Sequence, residues 1–344
     1  MIVGVHTSAR GKSLQKVAEH ILNTLKANGI NAEITYGIGL ADYVAKNYDK
    51  GIIVMPFDMA TASNYFYLHY RYIAEHKKSI FYTTIEGDVL NPSTLPWANK
   101  YIEPVANSMY TKRKIEKAGF KVTDVVYHGV DTRLYKPDPE KKADARRALN
   151  ASDDNFILLY VAMSHPRKCH NLARSVMEIL GSRDQSIKLI VFTDDKGAEN
   201  YMGLNNVVAI KGFGEFSEVD MTYLYNAADM YVQFSCSEGF GMPVLEAHAC
   251  GKPVVHPSYD PLNEISSVKA SFRVPVVDVK RYKGVEGILF EMNIYDPVEF
   301  ADAIIQAKDL VIRNRDEYTA VAREHALKYD YREVYKYFVN ELNK

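Results

Sequence analysis

The chain has 344 residues, which is the length of about two domains of average size. Hydrophobic residues make up 47% of it and charged residues 25%, a balance typical of a globular protein with a large core. This composition excludes a disordered chain, a collagen-like chain and a small disulfide-stabilised scaffold. No apolar run approaches the roughly 20 residues that a membrane-spanning helix needs.

The N-terminus and the cysteines are features that indicate the cellular compartment of a protein. Residues 2–5 form a strand-like run with neither the basic region nor the long apolar region of a secretory signal. The three cysteines, Cys169, Cys236 and Cys250, are odd in number and lack C-x-x-C spacing. We therefore expect reduced cysteines, no zinc site and a cytoplasmic protein.

The net charge of −1 is unevenly distributed along the chain. Residues 1–137 carry 17 Lys and Arg against 12 Asp and Glu, whereas the remainder carries 25 against 31. The basic N-terminal part favours an anionic partner or peripheral attachment to the inner membrane face, and a chance distribution explains it equally well. We expect no nucleic-acid partner.

Strand-like and helical patterns alternate along the first part of the chain. Apolar residues from Leu14 to Leu25 keep the spacing of an amphipathic helix, and a second helix is predicted at 108–118. The strand-like runs are 2–5, 32–35, 51–55, 79–83 and 124–127. Such alternation predicts βαβ units around a parallel sheet.

The alternation restarts after residues 136–142, whose proline and charge content is typical of a linker. Further strands are predicted at 156–162, 187–192, 207–210, 230–234 and 253–256. Two helices are predicted within 315–343. We therefore expect an α/β fold with two doubly wound parallel sheets, in domains 1–137 and 138–327. Because such sheets bind ligands at the carboxyl ends of their strands, we expect the site in a cleft between the domains.

A glycine loop between a strand and a helix carries the most information. Gly239 and Gly241 allow a ligand to approach the backbone closely, and Pro243 fits the first helical position. The start of a helix suits a phosphate group. Glu238 in the loop and Glu246, expected in the first helical turn, can accept hydrogen bonds from sugar hydroxyls. Taken singly, the glycines fit a tight turn and Glu246 fits simple stabilisation of the helix dipole.

Glu238 and Glu246 have the spacing E-x₇-E, within the segment EGFGMPVLEAHACGKPVV. This segment resembles the signature of the retaining GT-B glycosyltransferases, the glycosyl transferases group 1 (family 4-like). Residues 224–229 and 128–137 are similar to that family as well, so the resemblance covers roughly residues 105–344. It implies a Rossmann-like N-terminal domain for the acceptor, a second such domain for the donor, and a final helix, 328–344, packed back on the first domain.

The resemblance also implies an activity and the residues that serve it. It implies a retaining hexosyltransferase that needs no metal or other cofactor. The sugar moves from a nucleotide-diphosphate sugar to a hydroxyl of a carbohydrate, lipid-linked or other acceptor. Glu238 is then catalytic and contacts the donor sugar, and Glu246 binds the ribose. The remaining donor-binding residues are Gly239, Phe240, Gly241 and Met242.

Two cations after the strand 156–162 fit a diphosphate leaving group, whose charge must be stabilised as the bond breaks. Lys168 matches a lysine of the family, whereas Met163 stands where the family has an arginine. Arg167 can supply the second charge from a neighbouring position. The alternative is that Arg167 and Lys168 are solvated loop charges.

The acidic residues indicate no metal site. No D-x-D motif occurs. The adjacent pairs Asp153–Asp154 and Asp194–Asp195 lie in polar, loop-like stretches, and we expect them to be surface charges. Metal-independent chemistry fits this pattern.

The first domain offers weaker candidates. Arg10, Gly11 and Lys12 follow the first strand at a helix start, where they can contact an anionic group of the donor or acceptor. The spacing from Gly4 to Gly11 is wrong for a P-loop. Glu86 stands where the family often has a histidine. It either orients hydroxyls of donor or acceptor, or is an acidic turn residue without a ligand.

Three other functions stay open. A nucleotide-sugar-binding protein without catalysis is compatible with Met163 and with the missing histidine. A P-loop-like phosphotransferase would use residues 10–13 and Mg²⁺, and the spacing counts against it. A GT-B epimerase would change the donor itself and need no acceptor.

Overall fold

The computed structural model describes residues 1–9, 11–37, 41–57, 59–89, 100–152, 154–284 and 288–344. The described chain forms two compact units. The first unit comprises Met1–Gly129, Arg281–Glu291 and Tyr329–Lys344, and the second comprises Val130–Lys280 and Met292–Lys328. No helix among the described residues is long and apolar enough to cross a membrane.

The first unit contains a six-stranded parallel sheet in the order β2-β1-β3-β4-β6-β7. Its strands are β1 Val3–Thr7, β2 Ala32–Tyr36, β3 Lys50–Pro56, β4 Lys78–Thr84, β6 Val105–Ala106 and β7 Asp124–Val125, with β5 Gly87–Val89 outside this sheet. The helices are α1 Lys12–Ala27, α2 Ala41–Asn47, α3 Met59–Ala74 and α4 Met109–Lys117. The helix α4 begins after Ser108, whose side chain accepts a hydrogen bond from the Thr111 amide.

The core of the first unit includes the last residues of the chain. Strand β1 is buried along its whole length, and Ile21 and Leu25 of α1 pack against the sheet. The terminal helices α13 (Tyr331–Val334) and α14 (Lys336–Asn343) add Tyr335 and Phe338 to the same core. His20 stacks on Tyr331 with ring centroids 4.1 Å apart. Burial of these apolar side chains ties residues 329–344 to the first unit.

The second unit contains another six-stranded parallel sheet, in the order β10-β9-β8-β11-β12-β13. Its strands are β8 Phe156–Val161, β9 Ile187–Thr193, β10 Val207–Lys211, β11 Met230–Val232, β12 Val254–Pro257 and β13 Ser271–Val274. The helices are α5 Pro139–Ala148, α6 His170–Arg183, α7 Asp195–Glu199, α8 Glu218–Ala227, α9 Met242–Ala249, α10 Leu262–Ile265, α11 Pro297–Arg313 and α12 Arg315–Leu327. Strands β14 (Asp278–Lys283) and β15 (Ile288–Ile294) form a small sheet with β5, and residues 288–290 of β15, which pair with β5, belong to the first unit.

The predicted fold class is confirmed, because both six-stranded sheets are parallel and alternate with helices. The linker predicted at 136–142 is wrong from residue 139 onward, where α5 begins. Asp138 caps that helix by accepting a hydrogen bond from the Lys141 amide, and Pro139 occupies the first helical position. A proline and charged residues therefore form a helix start here.

Candidate functional site

The glycine loop connects β11 to α9 at the carboxyl end of the second sheet. Gly241 precedes α9 with φ of 97°, a left-handed conformation that favours glycine. A Cβ atom at this position would lie 2.7 Å from Cδ2 of Leu262. The backbone angle therefore favours glycine, and a side chain at this position would also have to displace the end of the Leu262 side chain.

Glu238 is the centre of the site. It is 5% exposed, and its carboxylate accepts hydrogen bonds from Arg167 Nη1 at 3.0 Å and from Lys168 Nζ at 2.5 Å. Gln233 Nε2 donates to the same carboxylate at 3.3 Å. Burial raises the pKa of Glu238, but the charges of Lys168 and Arg167 outweigh it and hold the pKa below its usual value. Glu238 is therefore ionised at neutral pH.

Arg167 and Lys168 lie in a short 3₁₀ turn, Pro166–Lys168, that follows β8. Their carbonyl groups are fixed as well: Cys236 N donates to Arg167 O at 2.8 Å, and Tyr160 Oη donates to Lys168 O at 2.6 Å. Both charged side chains are largely buried against Glu238. The solvated-charge alternative is therefore wrong for these two residues.

Cys169 and Cys236 form a disulfide bond between the two loops of the site. Our expectation of reduced cysteines is wrong for this pair. Spacing along the sequence gives no sign of it, because 67 residues separate the two cysteines. Strands β8 and β11 are parallel neighbours, so the residues that follow them meet at one edge of the sheet. The argument from cysteines to a reduced cytoplasmic setting therefore fails.

Glu246 is the fifth residue of α9 and is 5% exposed. It lies beyond the first helical turn that we expected, so the helix dipole contributes little to its stabilisation. Tyr225 Oη donates a hydrogen bond to its carboxylate at 2.5 Å. Burial, together with the charge of Glu246, raises the pKa of Tyr225 well above its usual value. Glu246 is thus a fixed, buried hydrogen-bond acceptor.

The backbone candidates of the donor loop follow Glu238 directly. These four residues, all of them buried, are Gly239, Phe240, Gly241 and Met242. Met242 is the first residue of α9, so its amide lies at the helix N-terminus, whereas Pro243 after it has no N–H to donate. The loop thus carries backbone N–H groups from Gly239 to Met242 directly after Glu238 in the sequence.

The remaining candidate ligand-binding residues belong to the first unit. Arg10 lies outside the described residues. Gly11 caps α1 with φ of 89°, and Lys12 is the first residue of that helix and is exposed. Glu86 is half-buried between β4 and β5, and its charge adds to burial and to Glu291 in raising the pKa of Tyr110.

Sequence reasoning missed the role of Asp194. We expected a surface charge, but its carboxylate accepts hydrogen bonds from Ser164 N at 3.0 Å and from Ser164 Oγ at 2.7 Å. It also caps α7 through the Gly197 amide. Asp194 therefore holds the chain that leads from β8 to Arg167, and the Asp-x-x-Gly capping spacing is the signal that could have revealed it. Asp153 lies outside the described residues.

Comparison with known proteins identifies the family and the fold of the chain. The family model described as glycosyl transferases group 1 matches residues 141–318. Uncharacterized glycosyltransferase 335 of Sulfolobus islandicus rod-shaped virus 1 is 26% identical over 337 residues, which is 95% of this chain and 96% of that protein. The D-inositol 3-phosphate glycosyltransferase of Geodermatophilus obscurus is 31% identical over 217 residues, 59% of this chain and 43% of that protein.

Solved structures share the fold over nearly the full length of the chain. Anabaena HepE, in complex with UDP and glucose, matches with a TM-score of 0.72 at 16% identity and 99% coverage of both chains. A glycosyltransferase from Rickettsia africae matches with a TM-score of 0.73 at 15% identity, covering 99% of this chain and 97% of that one. At such identities the likeness establishes the GT-B fold. Together with the family match over more than half of the sequence, it shows that the chain belongs to the glycosyl transferases group 1.

Proposed function

We propose that this protein transfers a hexosyl group from a nucleotide-diphosphate sugar to an acceptor hydroxyl, with retention of anomeric configuration and without a metal ion. The family membership supports glycosyl transfer as the reaction class. Anabaena HepE in complex with UDP and with UDP-glucose supports the class of donor. The acceptor is a carbohydrate, lipid-linked or other hydroxyl compound, bound by the first unit.

The observation that carries the proposal is the buried carboxylate of Glu238 with Arg167 and Lys168 on its two oxygens. Two cations face this one carboxylate, and a bound diphosphate would interact with both of them. The planar guanidinium of Arg167 suits two phosphate oxygens at once. Because these cations are positioned before the reaction, they stabilise the leaving diphosphate as its charge develops.

The donor sugar is held by Glu238 itself. An ionised carboxylate only accepts hydrogen bonds, and so it pairs with the hydroxyls of a sugar. The lowered pKa of Glu238 keeps it ionised in this role. The amides from Gly239 to Met242 cradle the diphosphate at the start of α9. Glu246, fixed by Tyr225, accepts from the ribose hydroxyls.

The first experiment measures donor binding and turnover. Wild type is titrated calorimetrically with UDP-, GDP- and ADP-sugars, with and without EDTA, and release of the nucleoside diphosphate is followed. One nucleotide sugar is expected to bind equally well with EDTA. Lys168→Gln should weaken its binding about tenfold, and Glu238→Gln should lower turnover about 100-fold. The matched control is Glu324→Gln, a change at an exposed glutamate, which should leave both unchanged.

Two results would contradict the proposal. Absence of binding by every nucleotide sugar removes the donor site. Loss of turnover with EDTA removes the metal-independent mechanism. The anomeric configuration of the product, read by NMR, tests retention separately, and an inverted product overturns that part alone.

A second candidate function is donor binding without transfer. Met163 supports it, because it stands where the family has an arginine and is 44% exposed. In this case a nucleotide sugar binds wild type, yet no nucleoside diphosphate is released with or without added acceptors. Restoring the charge by Met163→Arg would then be expected to produce turnover.

A further inference from the structure

A charged cavity lies in the second unit, away from the glycine loop. Its volume is about 590 Å³, within the range of small-molecule sites. The lining includes Phe156, the first residue of β8, and Asp229, the residue before β11. It therefore lies at the amino end of these strands, whereas Arg167 and Glu238 follow their carboxyl ends. Strand β8 has six residues and spans roughly 20 Å, so the two sites are distinct.

Three cations meet a single buried carboxylate in this cavity. The side chain of Asp229 is 2% exposed and contacts Lys142 at 3.2 Å, Arg146 at 2.5 Å and Arg315 at 2.6 Å. Lys308 also lines the cavity, with Asp184 as its partner at 2.5 Å. The other carboxylate in the lining, that of Asp154, belongs to an exposed residue. Positive charge therefore exceeds negative charge among the described lining residues.

The lowered pKa values of nearby lysines agree with this excess of positive charge. The pKa of Lys142 is lowered by burial and by the charges of Arg146 and Arg315, despite its contact with Asp229. Burial and the charge of Lys142 lower the pKa of the neighbouring Lys252 to about 8. Like charges that share a partly desolvated region repel one another. A bound anion would offset that repulsion.

The cations differ in how firmly the protein holds them. Arg146 is 13% exposed and also donates to the Ala227 carbonyl at 3.0 Å, so it is a structural partner of Asp229. The side chains of Arg315 and Lys142 are 45% and 29% exposed. A guanidinium has five N–H donors, and the contact with Asp229 engages one nitrogen of Arg315. Arg315 and Lys142 can therefore donate to a ligand while keeping Asp229.

We propose that this cavity binds a small phosphate-bearing anion, held by Arg315 and Lys142. The ligand is inorganic phosphate or a phosphate monoester of an uncharged small molecule, because the cavity is larger than a single phosphate group and its described lining carries an excess of positive charge. The site needs neither the donor nor the acceptor of the proposed reaction, so it stands or fails independently of that reaction.

The test is calorimetric titration of the protein with inorganic phosphate and with glycerol 3-phosphate, using glycerol as the uncharged control. Wild type is expected to bind at least one phosphate compound and not glycerol. Arg315→Gln should weaken that binding about tenfold or more, since a charge-assisted hydrogen bond is lost. Arg313→Gln is the matched control, because Arg313 is exposed, ends the preceding helix and does not line the cavity.

A further variant separates this cavity from the glycine loop. The phosphate binding that Arg315→Gln weakens should persist in Lys168→Gln, since Lys168 lies at the other end of the sheet. Binding that Lys168→Gln abolishes and Arg315→Gln preserves would overturn the proposal, as would absence of binding by both phosphate compounds. Tighter binding of glycerol 3-phosphate than of phosphate supports a monoester ligand, and the reverse order supports inorganic phosphate.

Discussion

Two buried carboxylates of the second unit both form ion pairs with lysine and arginine side chains, but they differ in how the protein holds the carboxylate itself. Glu238 faces Arg167 and Lys168 at the carboxyl end of the sheet, and Asp229 faces three cations at the amino end. Asp229 also accepts a hydrogen bond from the Ile157 amide at 2.9 Å, which ties it to the backbone of β8. Glu238 follows a strand in a loop, with further side-chain support from Gln233.

The difference shows how similar ion clusters serve different ends. A carboxylate that accepts from a strand amide cannot move without leaving that buried amide unpaired, so Asp229 organises structure and its cations. A carboxylate on a glycine-containing loop is positioned next to backbone donors and can exchange one partner for a ligand. Removing Asp229 should therefore chiefly affect folding, whereas removing Glu238 should chiefly affect the proposed reaction.

The largest effect is expected from Asp229→Asn. Its loss leaves three cations without their carboxylate in a partly buried region, and we expect about 3–5 kcal/mol of destabilisation. Urea denaturation of wild type and variant measures it. The control is Asp195→Asn, which removes an exposed ion pair with Lys211 and should leave the urea midpoint nearly unchanged. Equal effects of the two changes would contradict a structural role of Asp229.

The next effect concerns the disulfide between the two loops that hold Glu238 in its ion cluster. Reduction of Cys169–Cys236 opens a loop of 67 residues, and we expect it to lower the free energy of unfolding by about 2–4 kcal/mol. Denaturation with and without dithiothreitol measures the difference. A Cys169→Ser, Cys236→Ser double variant should no longer respond to the reductant, whereas Cys250→Ser should respond like wild type. An unchanged midpoint in reduced wild type would exclude this contribution.

The pH dependence of stability sharpens the comparison on the acid side. Cation contacts outweigh burial and lower the pKa of Asp229 from 3.8 to about 2. A lowered folded-state pKa contributes stability that is complete above the unfolded pKa and is lost as the pH falls through the folded value. The shift corresponds to about 2–3 kcal/mol, lost between about pH 4 and pH 2.

Asp229→Asn should therefore show a shallower decline of stability than wild type below about pH 4. Denaturant midpoints at a series of acid pH values measure this slope. Parallel curves for wild type and variant would show that the carboxylate has an ordinary pKa in the folded protein. Asp195→Asn serves again as the exposed control.

The smallest expected effect is the difference in destabilisation between two glycine-to-alanine changes, Gly241→Ala and Gly203→Ala. It separates the cost of steric overlap from the cost of a left-handed backbone conformation in the glycine loop. Both glycines have a positive φ, which is 85° at Gly203. A Cβ atom at position 241 would lie 2.7 Å from Cδ2 of Leu262, whereas a Cβ atom at position 203 would have no neighbour within 4 Å. The conformational cost is roughly 1–2 kcal/mol for both, and overpacking adds about 1 kcal/mol or more at Gly241. Thermal unfolding measures both variants. Equal costs would show that Leu262 yields to the new methyl group.

Local patterns predicted the parts of the site that are close in sequence. The glycine loop, Glu238, Glu246 and the cations after β8 could all be identified because strand, turn and helix signals lie within a few residues of them. The boundaries of predicted elements are ambiguous where the same residue types occur both in linkers and at helix starts. Proline and charged residues predicted a linker at 136–142, yet the same residues cap and begin α5.

The sequence by itself determined the alternation of strands and helices, the class of fold and the residues of the glycine loop, because hydrophobic period and turn chemistry are local properties. Only the tertiary structure decided the disulfide, the partners of Glu238 and the cluster on Asp229. Lys142 and Arg315 reach Asp229 from positions 87 residues before it and 86 after it. Such groups meet because parallel strands bring distant segments to one edge of a sheet, and no local pattern records which segments those are.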